Sequence, residues 1–180
     1  MIRVRWLGRG GQGSFTASRL LGKAASIFEG KYALAFPSFG PERRGAPVLA
    51  FTRIDDEKIT DRSEILEYEY LVVMDDTLID KNSIQGLVLG GSIVLNSASK
   101  EKLNPVLKGL NIITIDATSL SLEILGLPIT NTAMLGALVA SSGIVSLDSV
   151  LKSIDGEMKP AVAEKNKKIV QKAYSMIRGS

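Results

Sequence analysis

Residues 2–13 read Ile2-Arg3-Val4-Arg5-Trp6-Leu7-Gly8-Arg9-Gly10-Gly11-Gln12-Gly13, and the order of residue types in this stretch decides the fold. Ile2 to Leu7 is an apolar, partly β-branched run that predicts a strand. The glycines that follow satisfy G-x-G-x-x-G. A helix is expected next, from about Gln12 to Phe28, where Leu20, Leu21, Ala24, Ile27 and Phe28 recur at three-to-four spacing and mark one buried face. In such a unit Gly8 allows the tight turn, Gly10 allows close backbone approach, and Gly13 lets the helix pack near the strand. The helix amides then point at any anion that arrives, and Arg9 adds a positive charge at the rim.

The second half of that fingerprint is missing. A nicotinamide dinucleotide site needs an acid at the end of the second strand, about 20 residues on, to hold the ribose hydroxyls. The second strand is expected at Tyr32 to Phe36 and ends in Phe36-Pro37-Ser38, while Glu29 precedes it. Three readings stay open on the residues alone: dinucleotide binding, a turn kept only for helix–strand packing, and a loop facing an anion or a partner.

Outward from this opening, strands are expected at Val48 to Ile54, Tyr70 to Met74, Ser92 to Asn96 and Ile112 to Asp116. The last three are continuous aliphatic runs bounded by Asp, Asn or Gly, the pattern of strands covered on both faces. Asp55-Asp56-Glu57 reads as a solvated hairpin tip. Helices are expected around Leu78 to Ile84, Ser119 to Leu125, Thr132 to Ser142, Ser146 to Ser153 and Pro160 to Ile177, the last with a stripe of Val162, Ile169, Val170, Ala173 and Ile177. Alternating strands and helices predict one α/β domain over residues 1–180, Rossmann-like, with a mostly parallel sheet and helices on both faces.

Two further segments stand out. Phe36 to Pro47 holds three prolines and two glycines, which excludes a helix or a central strand. In a doubly wound order this loop leaves the same carboxyl edge as the glycine loop. Arg43 and Arg44, stiffened by Pro41 and Gly45, form either a cationic lip suited to phosphates and carboxylates or a solvated turn neutralised by Glu42. The segment Thr130-Asn131-Thr132-Ala133-Met134-Leu135-Gly136-Ala137-Leu138-Val139-Ala140 is apolar nearly all round after a cap at Asn131 or Thr132, so it is a core helix or a face covered by another chain.

Composition narrows the chemistry. The 180 residues contain no cysteine and no histidine, so this chain holds no disulfide, no cysteine-ligated cluster and no imidazole-based mechanism of its own. The net charge of +3 is spread among 19 acids, unlike a nucleic-acid-binding face. The longest apolar run, Ala133 to Ala140, falls short of the roughly 20 residues of a membrane span. The chain opens directly on a strand, so no signal peptide is expected and the protein is read as cytoplasmic.

Taken together, the Gly8–Gly13 turn, the loop Ser38-Phe-Gly-Pro-Glu-Arg-Arg-Gly45 and the segment Asn131-Thr-Ala-Met-Leu-Gly-Ala-Leu138 resemble the gamma subunit of 2-oxoacid (pyruvate or 2-oxoglutarate):ferredoxin oxidoreductases. Arg53-Ile-Asp-Asp-Glu-Lys-Ile59 and Leu71-Val-Val-Met-Asp-Asp76 fit as well, whereas Ala46 stands where a second glycine is common. The resemblance implies a complex that decarboxylates a 2-oxoacid to an acyl-coenzyme A and reduces ferredoxin. Thiamine diphosphate and iron–sulfur clusters would then belong to alpha, beta and ferredoxin-like delta partners. This chain would carry no cofactor, metal or catalytic residue of its own and would be inactive alone. It would help form the coenzyme A side, with Gly8, Arg9, Gly10, Gly11, Gln12, Gly13, Arg43, Arg44 and Asn131 as binding residues. The alternative is a stand-alone nucleotide-binding module.

Overall fold

In the computed structural model, which describes residues 1–38, 45–99 and 103–179, strand β1 spans Ile2–Arg9 and lies in the middle of the sheet. Alternation along β1 sends Val4 and Trp6 to one face and Leu7 to the other. Trp6 is fully buried, and its indole Nε1 donates to Thr52 Oγ1 at 3.0 Å. Thr52 donates in turn to the Ser18 carbonyl at 3.1 Å, so one polar chain ties strand, neighbouring strand and helix together.

Helix α1 (Ser14–Phe28) follows the glycine turn and leads to β2 (Tyr32–Pro37). Next come β3 (Pro47–Asp55), β4 (Tyr68–Val73), β5 (Leu87–Asn96) and β6 (Asn111–Ile115). Four helices close the chain: α2 (Ala117–Leu125), α3 (Asn131–Ser142), α4 (Leu147–Asp155) and α5 (Pro160–Arg178). The sheet order is β2-β3-β1-β4-β5-β6. Strands β1, β4, β5 and β6 pair in parallel, while β3 is antiparallel to both of its neighbours. The mostly parallel sheet is therefore present with β3 reversed. The proline-rich connection after β2 cannot hold a crossover helix, so the chain turns straight back.

The two faces are covered differently. All five α-helices contribute to the core on the Trp6 face. The opposite face, with Leu7, Phe51, Tyr68, Leu71 and Ile93, is covered by irregular chain and the single 3₁₀ turns Asp76–Leu78 and Pro105–Leu107. The second helical layer expected there is thus reduced to turns. In place of the helix expected at Leu78 to Ile84, Asp75 accepts from the Thr77 amide at 3.1 Å, and Asp80 and Ser83 cap each other's amides at 2.7 and 2.9 Å. These short polar side chains satisfy the backbone as turns rather than as helix.

Other expectations shift by smaller amounts. On α1 the buried face is Ala17, Leu20, Leu21 and Ala24, whereas Ile27 and Phe28 near its end are exposed. On α5 it is Ala163, Asn166, Ile169, Val170 and Ala173, with Val162 exposed. Small residues sit where α5 crosses α3: a Cβ on Gly136 would come within 2.6 Å of the Val170 carbonyl. Asp55-Asp56-Glu57 is no hairpin tip. Arg53, nearly fully buried, donates to the Ser63 carbonyl at 2.8 Å and to Asp61 at 2.9 Å, carrying the chain around to β4 on the far side of β1. Helix α3 is buried on all sides within this one chain, from Asn131 to Ala140, which selects the core reading of that segment. Among the described residues no helix is long and apolar enough to cross a membrane.

Candidate functional site

The carboxyl ends of β1 and β4 mark the place where the connections diverge, and in open α/β sheets ligands bind in the crevice there. Residues 8–13 form that corner. Gln12 closes the turn in both directions: its Oε1 accepts from the Arg9 amide at 2.6 Å, and its own amide donates to the Arg9 carbonyl at 3.0 Å. Gly13 has a φ of 83°, and a Cβ there would collide with the Asn131 side chain. Only glycine meets both conditions. The N-terminus of α3 thereby lies directly against that of α1, and neither N-cap residue, Gly13 or Thr130, caps its helix through a side chain. The structure brings the glycine loop and Asn131 together. Asn131 Oδ1 accepts from the Thr132 amide at 2.8 Å.

Arg9 does not stand free at the rim. Its Nε donates to Asp75 at 2.7 Å, Nη2 to Thr77 Oγ1 at 2.8 Å and Nη1 to the Gly45 carbonyl at 3.1 Å. The Gly10 amide also donates to the Ala46 carbonyl at 3.0 Å. Arg9 is therefore a clamp that joins the glycine loop to the end of β4 and to the stem of the proline–arginine loop. Burial pushes the Asp75 carboxyl up, but hydrogen bonds from Thr77 and Arg9 outweigh it and hold the pKa below its ordinary value. Arg43 and Arg44 lie outside the described residues, and Gly45 is the residue that follows them in the chain.

Beside the clamp is a crevice of about 360 Å³ whose lining includes Gln12, Asp75, Asp76, Asn96, Asp116 and Ser119. Asn96, at the end of β5, donates from Nδ2 to the Met74 carbonyl and to Thr118 Oγ1, both at 2.9 Å, and accepts from the Ala117 amide at 3.0 Å. Asp116 caps α2 through the Ser119 amide at 2.9 Å. The sequence reading did not single out Asp75, Asn96 or Asp116. Each follows an aliphatic run that forms a strand, and that position was the available signal. Apart from Arg9, the charged groups lining this corner are acidic, so the cationic edge expected from the loops is not present among the described residues. Nor do they include a group of three or more His, Cys, Asp or Glu placed to hold a metal ion.

A strand–glycine turn–helix corner on a mixed sheet, with polar residues gathered at the strand ends, defines a one-domain α/β protein with its candidate ligand edge at the switch point. The family model for pyruvate ferredoxin/flavodoxin oxidoreductase matches residues 3–176. Pyruvate synthase subunit PorC of Methanocaldococcus jannaschii is 49% identical over 176 residues, which cover 97% of this chain and 96% of that one. The pyruvate/ketoisovalerate oxidoreductases common subunit gamma of Thermococcus kodakarensis is 48% identical over 179 residues, with 97% and 96% covered. Among solved structures, the pyruvate oxidoreductase subunit PorC of Thermotoga maritima superposes with a TM-score of 0.84 at 37% identity, covering 97% of this chain and 95% of that one. The chain belongs to the pyruvate ferredoxin/flavodoxin oxidoreductase family.

Proposed function

We propose that this chain is the gamma subunit of a 2-oxoacid:ferredoxin oxidoreductase. That assembly decarboxylates a 2-oxoacid oxidatively, forms acyl-coenzyme A and reduces ferredoxin. One observation carries the reading: the correspondence with proteins named as gamma or PorC subunits runs end to end on both sides. The absence of cysteine and histidine supports it, since the redox chemistry must then sit on other chains. Those chains, of alpha, beta and ferredoxin-like delta type, would carry thiamine diphosphate and the iron–sulfur clusters in a cytoplasmic complex, with no role for nucleic acid or membrane. The test is co-expression with the candidate partner subunits. Pyruvate- and coenzyme A-dependent reduction of ferredoxin is expected from the assembly and none from the isolated chain. Turnover by the isolated chain overturns the proposal.

Within the complex, the glycine-loop corner is the part of this chain proposed to face coenzyme A. Two converging helix N-termini favour an anionic pyrophosphate. Asp76 and Asp116 oppose it, so the reading needs the positive charge of Arg43 and Arg44. In the assembled enzyme, Arg43→Ala with Arg44→Ala should raise the KM for coenzyme A several-fold while kcat and subunit stoichiometry hold. Loss of assembly with an unchanged KM would assign the loop to docking instead. The end of β2, Pro37 followed by Ser38, offers no acid for a ribose, so a stand-alone dinucleotide module is not favoured.

A further inference from the structure

A groove of about 440 Å³ runs between the end of α2 and the first turns of α5. Its walls are Leu125, Leu127 and Ile129 on one side and Met158, Ala161 and Val162 on the other. Leu127 is 55% exposed, Val162 48% and Ile129 37%, so apolar side chains cluster here in contact with water. Gly126, in the left-handed conformation, ends α2, and a tight turn centred on Pro128, in which the Ile129 amide donates to the Leu127 carbonyl at 2.9 Å, leaves both flanking side chains in contact with water. The polar floor is committed internally. Asn166 accepts from Thr132 Oγ1 at 2.8 Å and donates to the Val162 carbonyl at 2.8 Å. Asn131, the other buried amide of the floor, lies against Gly13, so the groove adjoins the glycine-loop corner.

Among the described residues, the charges around the groove that lack an ion-pair partner have one sign. Among the described residues, Lys165 is the one charged side chain in its lining. On α5, Lys167 pairs with Asp155 and Glu164, and Lys172 pairs with Glu123. Among the described residues Lys159, Lys165 and Lys168 have no ion-pair partner. The first turn of α5 contains no acid and no side-chain cap, which leaves Lys159 at the positive end of the helix dipole and Lys165 in the turn that follows. An apolar groove with unneutralised cations at a helix N-terminus calls for an apolar occupant bearing acids. A second copy of this chain does not supply that. A two-fold contact would bring the same lysines together.

We propose that this groove is the docking site for a segment of another subunit of the oxidoreductase, an amphipathic stretch with apolar residues on one side and Asp or Glu flanking them. The inference rests on the gamma-subunit reading and adds the face and the chemistry of the contact. Ile129→Asp and Val162→Asp change exposed positions, and thermal melting of the isolated variants checks that they fold. In the co-expressed complex each should weaken retention of this chain at least about tenfold, as expected for a change at the apolar centre of an interface. Lys165→Glu with Lys168→Glu should weaken it less and remove part of its salt dependence. A measurement free of variants is hydrogen–deuterium exchange on the wild-type complex, which should slow at residues 122–131 and 158–168.

Stoichiometric complexes with both aspartate variants, or unchanged exchange at those residues, overturn this inference alone. Failure of the wild-type chains to assemble overturns the gamma-subunit reading and this inference with it. If the isolated wild-type chain is a dimer that Val162→Asp converts to monomer, the occupant is a second copy and the assignment to another subunit is overturned.

Discussion

The two faces of this sheet are built from the same six strands, yet one is covered by five helices and the other by turns. Chain direction places α1 on one face and the β4–β6 connections on the other, and the remaining four helices follow β6 onto the α1 face. From β1 the chain crosses through α1 to β2 on one side, and later steps through β4, β5 and β6 on the other. Right-handed crossovers that travel in opposite directions land on opposite faces. The steps between β4, β5 and β6 are short and rich in Asp, Asn, Ser and Pro, so they cover their face with turns. The glycine loop sits where the two directions part.

The contrast can be tested with matched truncations. Leu135 on α3 and Leu107 in a 3₁₀ turn are both buried, one on each face. Leu135→Ala should cost about 4 kcal/mol and Leu107→Ala about 2, because a turn collapses into a cavity more readily than a packed helix does. Equal costs in urea denaturation would remove the contrast. Next in size is Gly136→Ala, about 2 kcal/mol, since the new methyl meets a backbone carbonyl of α5 that cannot turn aside.

On the turn face Arg53 ties β3 to the chain that leads to β4. Arg53→Met should cost about 1–2 kcal/mol and speed amide exchange at residues 58–66, because the Asp61 and Ser63 carbonyls lose their donor. A purely global loss of protection would argue against this local anchoring. The smallest effect belongs to the clamp at the edge: Asp75→Asn should cost about 1 kcal/mol or less, because its Arg9 partner is partly solvated. Its pH dependence follows from the sign of the shift. The folded carboxyl titrates below its ordinary value of 3.8, so the clamp's contribution is complete above that pH and is lost as the pH falls through the lower folded value. The stabilities of wild type and Asp75→Asn should therefore converge in acid and differ by a constant amount at neutral pH.

The opening strand, glycine turn and helix were legible because each depends on neighbours a few residues away. The aliphatic strands β4, β5 and β6 were legible for the same reason. The helix expected at Leu78 to Ile84 was not there, because apolar spacing competes with Asp75, Asp80 and Ser83, whose side chains satisfy the backbone as turns. On α5 Ile169, Val170 and Ala173 are buried in line with the predicted stripe, whereas at its start Ala163 rather than Val162 faces inward.

The candidate site was half legible. Its glycines and Asn131 were named from the chain, and the contact between Gly13 and Asn131 places them together. What Arg9 does was hidden, because its partners Asp75, Thr77 and Gly45 are distant in the chain.

The sequence by itself determined the strand–loop–helix corner, the α/β class and the exclusion of cysteine and histidine chemistry from this chain, since residue type and local backbone sterics suffice for each. Only the tertiary structure decided that β3 runs backwards, that Arg9 is already neutralised, and that apolar residues of α2 and α5 line an open groove. Those depend on which distant residues meet, and a charge or an apolar side chain takes its meaning from its neighbours in space.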